Sequence, residues 1–159
     1  MKIKSEDIPQ ADVLDDVIRT VEIVKSGGSS YQQIASVLGK VDRQGRYYRK
    51  AAEILGFIET PNRNKSVVTD LGNQLLIKGI GSKILFNAVI DAPIFQRLIP
   101  FMELNNENGV SGEQIIEFLI SIADLNTGTM GGRRFYSVVA WAEKIGLISK
   151  VEGLSLIHI

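Results

Sequence analysis

An internal repeat constrains this chain more than any other feature. The run Arg46-Tyr-Tyr-Arg-Lys-Ala-Ala-Glu-Ile-Leu-Gly56-Phe-Ile58 returns as Tyr136-Ser-Val-Val-Ala-Trp-Ala-Glu-Lys-Ile-Gly146-Leu-Ile148. The offset that carries Gly56 to Gly146 also carries Ala52-Glu53 to Ala142-Glu143 and Arg43 to Arg133. Upstream, Ser30-Tyr-Gln-Gln33-Ile34 matches Ser111-Gly-Glu-Gln114-Ile115. Both begin Ser-x-x-Gln, a capping-box start in which each side chain satisfies a free backbone N–H. This second offset is nine residues shorter, so the later copy has a longer connection, in the polar, glycine-rich stretch 123–132. Two landmarks in the same order make two copies of one supersecondary unit, too few for a solenoid.

The first copy reads as three helices and a hairpin. Val13, Leu14, Val17, Ile18, Val21 and Val24 keep helical spacing, and Gly27-Gly28 stops that helix. Ser30–Leu38 is a second, short helix. A third runs from about Arg43 to Leu55, with Tyr48, Ala51, Ala52 and Leu55 inward and Gly56 at the left-handed stop. Phe57–Glu59 predicts a strand, Thr60–Lys65 a turn and Ser66–Thr69 the returning strand; Thr69 or Asp70 then caps a closing helix to Lys78. This is the winged-helix plan. In the second copy Lys83–Leu104 is a lead-in that Pro93 and Pro100 interrupt. Ser111–Ile122 and Gly132–Ile145 form its helix pair, and Leu147–Val151 begins a second wing. The expected fold is mainly α with small β-hairpin wings, a tandem winged helix-turn-helix. Unit one covers 1–80 and unit two 81–153, its wing incomplete.

Composition excludes several kinds of chemistry. Of 159 residues 45% are hydrophobic, enough for a buried core. Cysteine is absent and His158 is the single histidine, so disulfides, thiolate chemistry, histidine triads and His/Cys metal clusters fall away. Asp15-Asp16, Asp124 and Glu143-Lys144 are isolated carboxylates rather than a two-metal site. The expectation is a chain with no catalytic centre and no cofactor. The charged N-terminus lacks a signal-peptide core and no apolar run is long enough to span a membrane, which predicts a soluble, cytoplasmic protein.

Eighteen basic and 18 acidic residues give a net charge of +0, so any polyanion partner must be met by local charge. Lys40–Lys65 carries seven basic and three acidic residues, whereas Met1–Ser30 carries four and six. In a helix-turn-helix the second helix of the pair enters the major groove. Its outward stripe here is Arg43, Arg46, Tyr47 and Lys50, and the turn Arg63-Asn64-Lys65 adds the wing tip. Arginine can pair bidentately with guanine, and lysine meets phosphate as a point charge. Arg133, Arg134 and Ser137 are the weaker counterparts in copy two. Arg49–Glu53 reads as a surface ion pair, Tyr48 and Trp141 as core. Double-stranded DNA is the expected partner.

An Arg-rich helix ending Ala-Glu-Ile-Leu-Gly-Phe-Ile, then a basic turn and Val67-Val-Thr-Asp-Leu-Gly72, resembles winged-helix units of bacterial restriction-modification proteins. The tandem layout resembles the DNA-recognition half of some type II restriction endonucleases, whose nuclease domain lies elsewhere in the chain. That resemblance implies base reading by Arg43, Arg46, Lys50, Arg63, Lys65, Arg133 and Arg134, with a further C-terminal domain or a homodimer partner. A transcription regulator and a winged-helix protein-docking module are the alternatives. The last six residues, Leu154-Ser-Leu-Ile-His-Ile159, look like an in-frame translation of a sequencing adaptor, with a genuine apolar strand as the other reading.

Overall fold

Leu14, Val17, Ile18, Val21 and Val24 share one helical face, and all five are buried in α1 (Leu14–Lys25). The structure, a computed structural model, describes residues 1–124 and 131–158, and for 131–134 the backbone alone. The described residues are mainly helical, with three small sheets between the helices.

Both expected capping boxes form. At the start of α2 (Tyr31–Leu38) the Gln33 N–H donates to the Ser30 hydroxyl, and the Ser30 N–H donates back to the Gln33 side-chain oxygen, each at 3.1 Å. Ser111 and Gln114 repeat this at the start of α7 (Gly112–Ile122), at 3.1 and 2.8 Å. Next comes α3 (Asp42–Ile54), which crosses α2 at Gly45. A Cβ at Gly45 would strike the Tyr31 carbonyl and the Ala35 Cβ, so only glycine lets the two helices approach this closely.

The first hairpin is longer than the sequence predicts. Its strands are β2 (Ile58–Asn62) and β3 (Lys65–Val68), and only Arg63-Asn64 forms the turn. Pro61 reads as a turn residue, yet it lies in the strand because Thr60 and Pro61 together face Ser66 across a bulge. A bulge interrupts the ladder, which is where a residue without an N–H is tolerated. Then α4 (Asp70–Lys78) is capped by Thr69, whose hydroxyl accepts from the Gly72 N–H at 3.1 Å. The lead-in of the second copy is α5 (Lys83–Asp91) and α6 (Pro93–Leu104), which meet at 87°. Pro93 opens α6 at a position whose N–H would be unpaired anyway, whereas Pro100 lies inside α6 without ending it.

After its last helix the second copy repeats the backbone bonds of the first. After α8 (Gly131–Lys144), the Gly146 and Leu147 N–H groups donate to Glu143 and Ala142, as Gly56 and Phe57 do to Glu53 and Ala52. Gly56 and Gly146 sit at φ 80° and 77°. The sheet runs β4 (Val110–Ser111), β7 (Leu154–Ile157), β6 (Ile148–Val151). Ser155 pairs with Val110 there; in the first copy the Ser66 N–H donates to the Ser29 carbonyl at 2.9 Å. The His158 N–H meets the Leu147 carbonyl as the Thr69 N–H meets that of Phe57.

These bonds correct the expectation that the second hairpin stops after its first strand. Leu154–Ile157 is the returning strand, with Ser155 and Ile157 buried. Its alternation of exposed and buried positions suits a strand with one covered face.

An N-terminal segment without helical periodicity joins the two copies. Its strand β1 (Ile3–Lys4) pairs in parallel with β5 (Ala123–Asp124), and Ile3, Ile8 and Ala11 are buried. The Trp141 indole N–H donates to the Ala11 carbonyl at 2.8 Å, and Phe95 lies parallel to the indole at 6.5 Å. Both copies contribute to one continuous apolar core.

Tyr48 ties α3 to the start of α1. Its buried hydroxyl accepts from the Val13 N–H at 3.3 Å and donates to the Asp12 carboxylate at 3.5 Å. Burial pushes its pKa up to about 12 and Asp12 and Asp16 push the same way, while the Val13 N–H opposes them. The unfolded value is about 10. The folded state therefore holds this proton more tightly, and its contribution to stability is complete below pH about 10 and lost as pH rises toward 12. Thermal melts across that window should fall more steeply for the natural chain than for Tyr48→Phe; parallel curves would refute the assignment. Gly45→Ala tests the helix crossing. Helix propensity alone favours alanine by up to about 1 kcal/mol, but the clash with backbone should win and cost about 1–3 kcal/mol in urea unfolding. Gly81→Ala, where the added Cβ meets nothing within 4 Å, is the near-neutral control.

Candidate nucleic-acid interface

One aromatic ring organises the polar face of the first copy. Tyr31 begins α2, and the Arg46 guanidinium from α3 lies over its ring at 4.5 Å while donating through Nη2 to its hydroxyl at 2.8 Å. The Arg49 guanidinium lies 5.4 Å from the same ring. Such contacts draw a guanidinium to the electron-rich face of the ring. The bond to the Tyr31 hydroxyl raises the pKa of Arg46.

The turn of the first hairpin is bound to this ring's neighbours. Asn64 sits at φ 54°, a left-handed conformation that asparagine tolerates better than most residues. From there its side-chain oxygen accepts from the Tyr31 N–H at 3.0 Å and from Arg49 Nη1 at 2.9 Å, and its amide donates to Gln32 at 2.8 Å. Glu53 continues the network: it lies 3.5 Å from Arg49 Nε and accepts from the Thr60 hydroxyl, which is itself 2.8 Å from the Ser66 hydroxyl. One amide thus joins α2, α3 and the hairpin turn.

The expected site residues divide under this geometry. Arg43, Arg63 and Lys65 are exposed and make no ion pair among the described residues. Lys50 is half-exposed, 4.0 Å from Glu53. Arg46 is exposed but held by Tyr31. Tyr47 packs half-buried on the core and lines a groove of about 390 Å³ between α3 and the segment Ser5–Gln10. Asn64, expected at the wing tip, has both ends of its amide engaged within the protein and clamps the turn.

Ser137, expected as a DNA contact, lies four residues before Trp141 on α8 and is 3% exposed, on the inward face. Arg133 and Arg134 fall in the first turn of α8, and their side chains lie outside the described residues. The second hairpin turns through Glu152-Gly153 and offers no cation where the first has Arg63 and Lys65.

Three participants carried weak sequence signals. Arg49 was masked by its helical spacing to Glu53, Tyr31 by its place inside a capping box, and Ser5–Gln10 by its lack of periodicity. Among the described residues no cluster of acidic or histidine side chains could hold a metal ion, and no single helix is long and apolar enough to cross a membrane.

A family model described as a domain of unknown function, DUF7226, matches residues 16–150. The chain belongs to the DUF7226 family. The match runs from the first turn of α1 into β6, so the DUF7226 region takes in the whole Tyr31–Asn64 network and the second copy as far as the first strand of its hairpin. No curated protein and no solved structure matches the chain.

The clamp has a direct test. Asn64→Gly keeps the left-handed backbone and deletes all three side-chain bonds, so it should cost about 1–2 kcal/mol in urea unfolding, at the lower end because the site is half-exposed. Asn64→Asp retains the oxygen that serves Tyr31 and Arg49 and should cost less. If Asn64→Gly matches the natural chain, the side chain does not hold the turn.

Proposed function

We propose that each half of the chain is a winged helix-turn-helix, and that the first half binds double-stranded DNA through α3 and the Arg63-Asn64 turn. The observation that carries this reading is the grouping of Arg43, Arg46, Lys50, Arg63 and Lys65 on two elements that Asn64 clamps together. Arg43, Arg46 and Lys50 follow one another along a single stripe of α3, spanning roughly 10 Å. A major groove about 12 Å wide admits one helix, and the adjoining turn then lies beside the phosphate backbone. The cations would face the phosphates, and although Glu6 of the acidic N-terminal segment lines the groove beside Arg46 and Lys50, the basic residues outnumber it there.

The second half adds Arg133, which holds in its copy the place of Arg43 in the first, with Arg134 beside it. Its turn lacks cations, so it contributes through α8. The likeness of the α3–β3 segment to restriction-modification units supports target recognition as the setting. Cleavage chemistry would then reside in a further domain or a partner, and DNA binding by this chain requires no cofactor.

Binding of the 159-residue chain to mixed-sequence duplex DNA, followed by fluorescence anisotropy across a salt series, tests the reading. Affinity should fall with salt at a log–log slope of about −0.9 for each phosphate neutralised. Arg43→Ala/Lys50→Ala and Arg63→Ala/Lys65→Ala should each flatten that slope by about 2. Absence of binding at low salt would overturn the proposal and favour a protein-docking role. Unchanged slopes in both double variants would place any DNA contact elsewhere.

A further inference from the structure

We infer that Tyr31 is a positioning residue that presets Arg46 as a base-reading arginine, so that Tyr31 governs sequence discrimination without itself contacting DNA. The inference rests on the DNA-binding reading above and adds which cation reads and what holds it.

The argument begins with what each arginine has left to give. A guanidinium carries five N–H donors in a rigid plane and accepts nothing. Arg49 spends Nη1 on Asn64, keeps Nε beside Glu53, and is three-quarters buried at its side chain. It is a structural strut. Arg46 spends one donor, from Nη2 to the Tyr31 hydroxyl, and one face on the Tyr31 ring. Its remaining in-plane donors are unbonded among the described residues, and the residue is exposed. Two in-plane donors are what bidentate pairing with guanine O6 and N7 requires.

Tyr31 is in turn fixed from behind. Its backbone N–H is held by Asn64 and its carbonyl packs against Gly45, which fixes the backbone from which the ring projects. The sequence of supports is Asn64 to Tyr31 to Arg46, each link a named contact. Among the described residues Arg43 has no such support, and neither have Arg63 and Lys65, which suits backbone attraction rather than base reading. Holding a long side chain in its bound rotamer before binding removes an ordering cost that corresponds to about 2- to 10-fold in affinity. Because only the correct base pair makes use of the preset fork, that factor appears in discrimination.

The test first selects a preferred sequence for the full chain from a randomised duplex pool, then measures affinity for it and for scrambled duplex. Tyr31→Phe keeps the ring and the backbone bond to Asn64 and removes only the hydroxyl anchor. It should lower the ratio of preferred to scrambled affinity by about 2- to 10-fold, and leave the salt slope unchanged because no charge is lost. Arg46→Lys keeps the charge and loses the fork, so it should lower the ratio by roughly 5- to 150-fold.

Adding Tyr31→Phe to Arg46→Lys should cost nothing more, since the tyrosine acts through the arginine. A Tyr31→Phe chain that discriminates as well as the natural one overturns the inference, as does an equal further loss in the Arg46→Lys background. A chain that binds DNA with a steep salt slope yet selects no sequence also overturns it, and leaves the DNA-binding reading standing. No DNA binding at all removes both. Without DNA, side-chain NMR of Arg46 should show slowed guanidinium rotation that Tyr31→Phe abolishes; free rotation in the natural chain would contradict the preset.

Discussion

The fold depends on one buried hydrogen bond between distant parts of the chain. Trp141 has no exposed surface, and its indole N–H would be stranded in an apolar core without the Ala11 carbonyl at 2.8 Å. A buried donor left unpaired costs about 1–3 kcal/mol, and truncating an aromatic of this size in a core costs about 3–5. The bond therefore decides where the N-terminal segment runs. Once Ala11 is pinned against α8, Ile8 and Ile3 lie on the shared core, β1 reaches β5, and α1 begins beside both copies. Lys144 and Asp15, 3.4 Å apart and half-exposed, follow from that placement and contribute little themselves.

That placement also bounds the candidate site. The segment Ser5–Gln10 lies along one side of α3, and the Arg63-Asn64 turn is tied to the other through Arg49 and Tyr31. Between them α3 presents its cations from a helix whose opposite face carries Tyr48, Ala51 and Ala52 into the core. Rigid elements hold a functional face more closely than loops do. The turn would ordinarily be mobile, but Asn64 makes it an extension of the α2–α3 pair.

How much of this was legible follows from the range of the forces involved. Helix phases, capping boxes and the glycine stops are set by residues within four positions of one another, and α1, α2, α3 and α7 lie within a residue or two of their expected limits. Contacts between distant elements were not legible. Pro61 reads as a turn until the strand opposite supplies a bulge, and Asn64 reads as an exposed polar tip until α2 is there to receive its amide. The neighbouring Arg133 and Arg134 suggest an outward face for Ser137, whereas the phase set by Val138 and Trp141 turns it inward. Leu154–Ile157 read as foreign by its wording, but alternation and the register offered by β4 and β6 are enough to seat it as a strand. Periodicity speaks for local structure, and pairing partners for the rest.

The two copies also explain why composition was silent on function. They share backbone bonds almost position for position, so the fold is maintained by Ala-Glu-x-x-Gly, the paired capping boxes and the buried serines Ser66 and Ser155. Apart from the glutamate, whose part in the shared bonds is played by its backbone carbonyl, none of those residues carries a charge, which leaves each copy's outer face free to differ. In the first, Tyr31, Arg46, Arg49 and Asn64 form a connected polar face with cations around it. In the second, the residues at the turn are Glu152 and Gly153, and Tyr136 stands exposed where the first copy has Arg46. A neutral total is what two such faces and an acidic N-terminal segment produce together. Charge that is segregated by element can act on a polyanion at close range, because screening at physiological salt confines each face's field to about 8 Å. The relevant quantity is therefore the charge within one face of α3 and its turn, and it is positive.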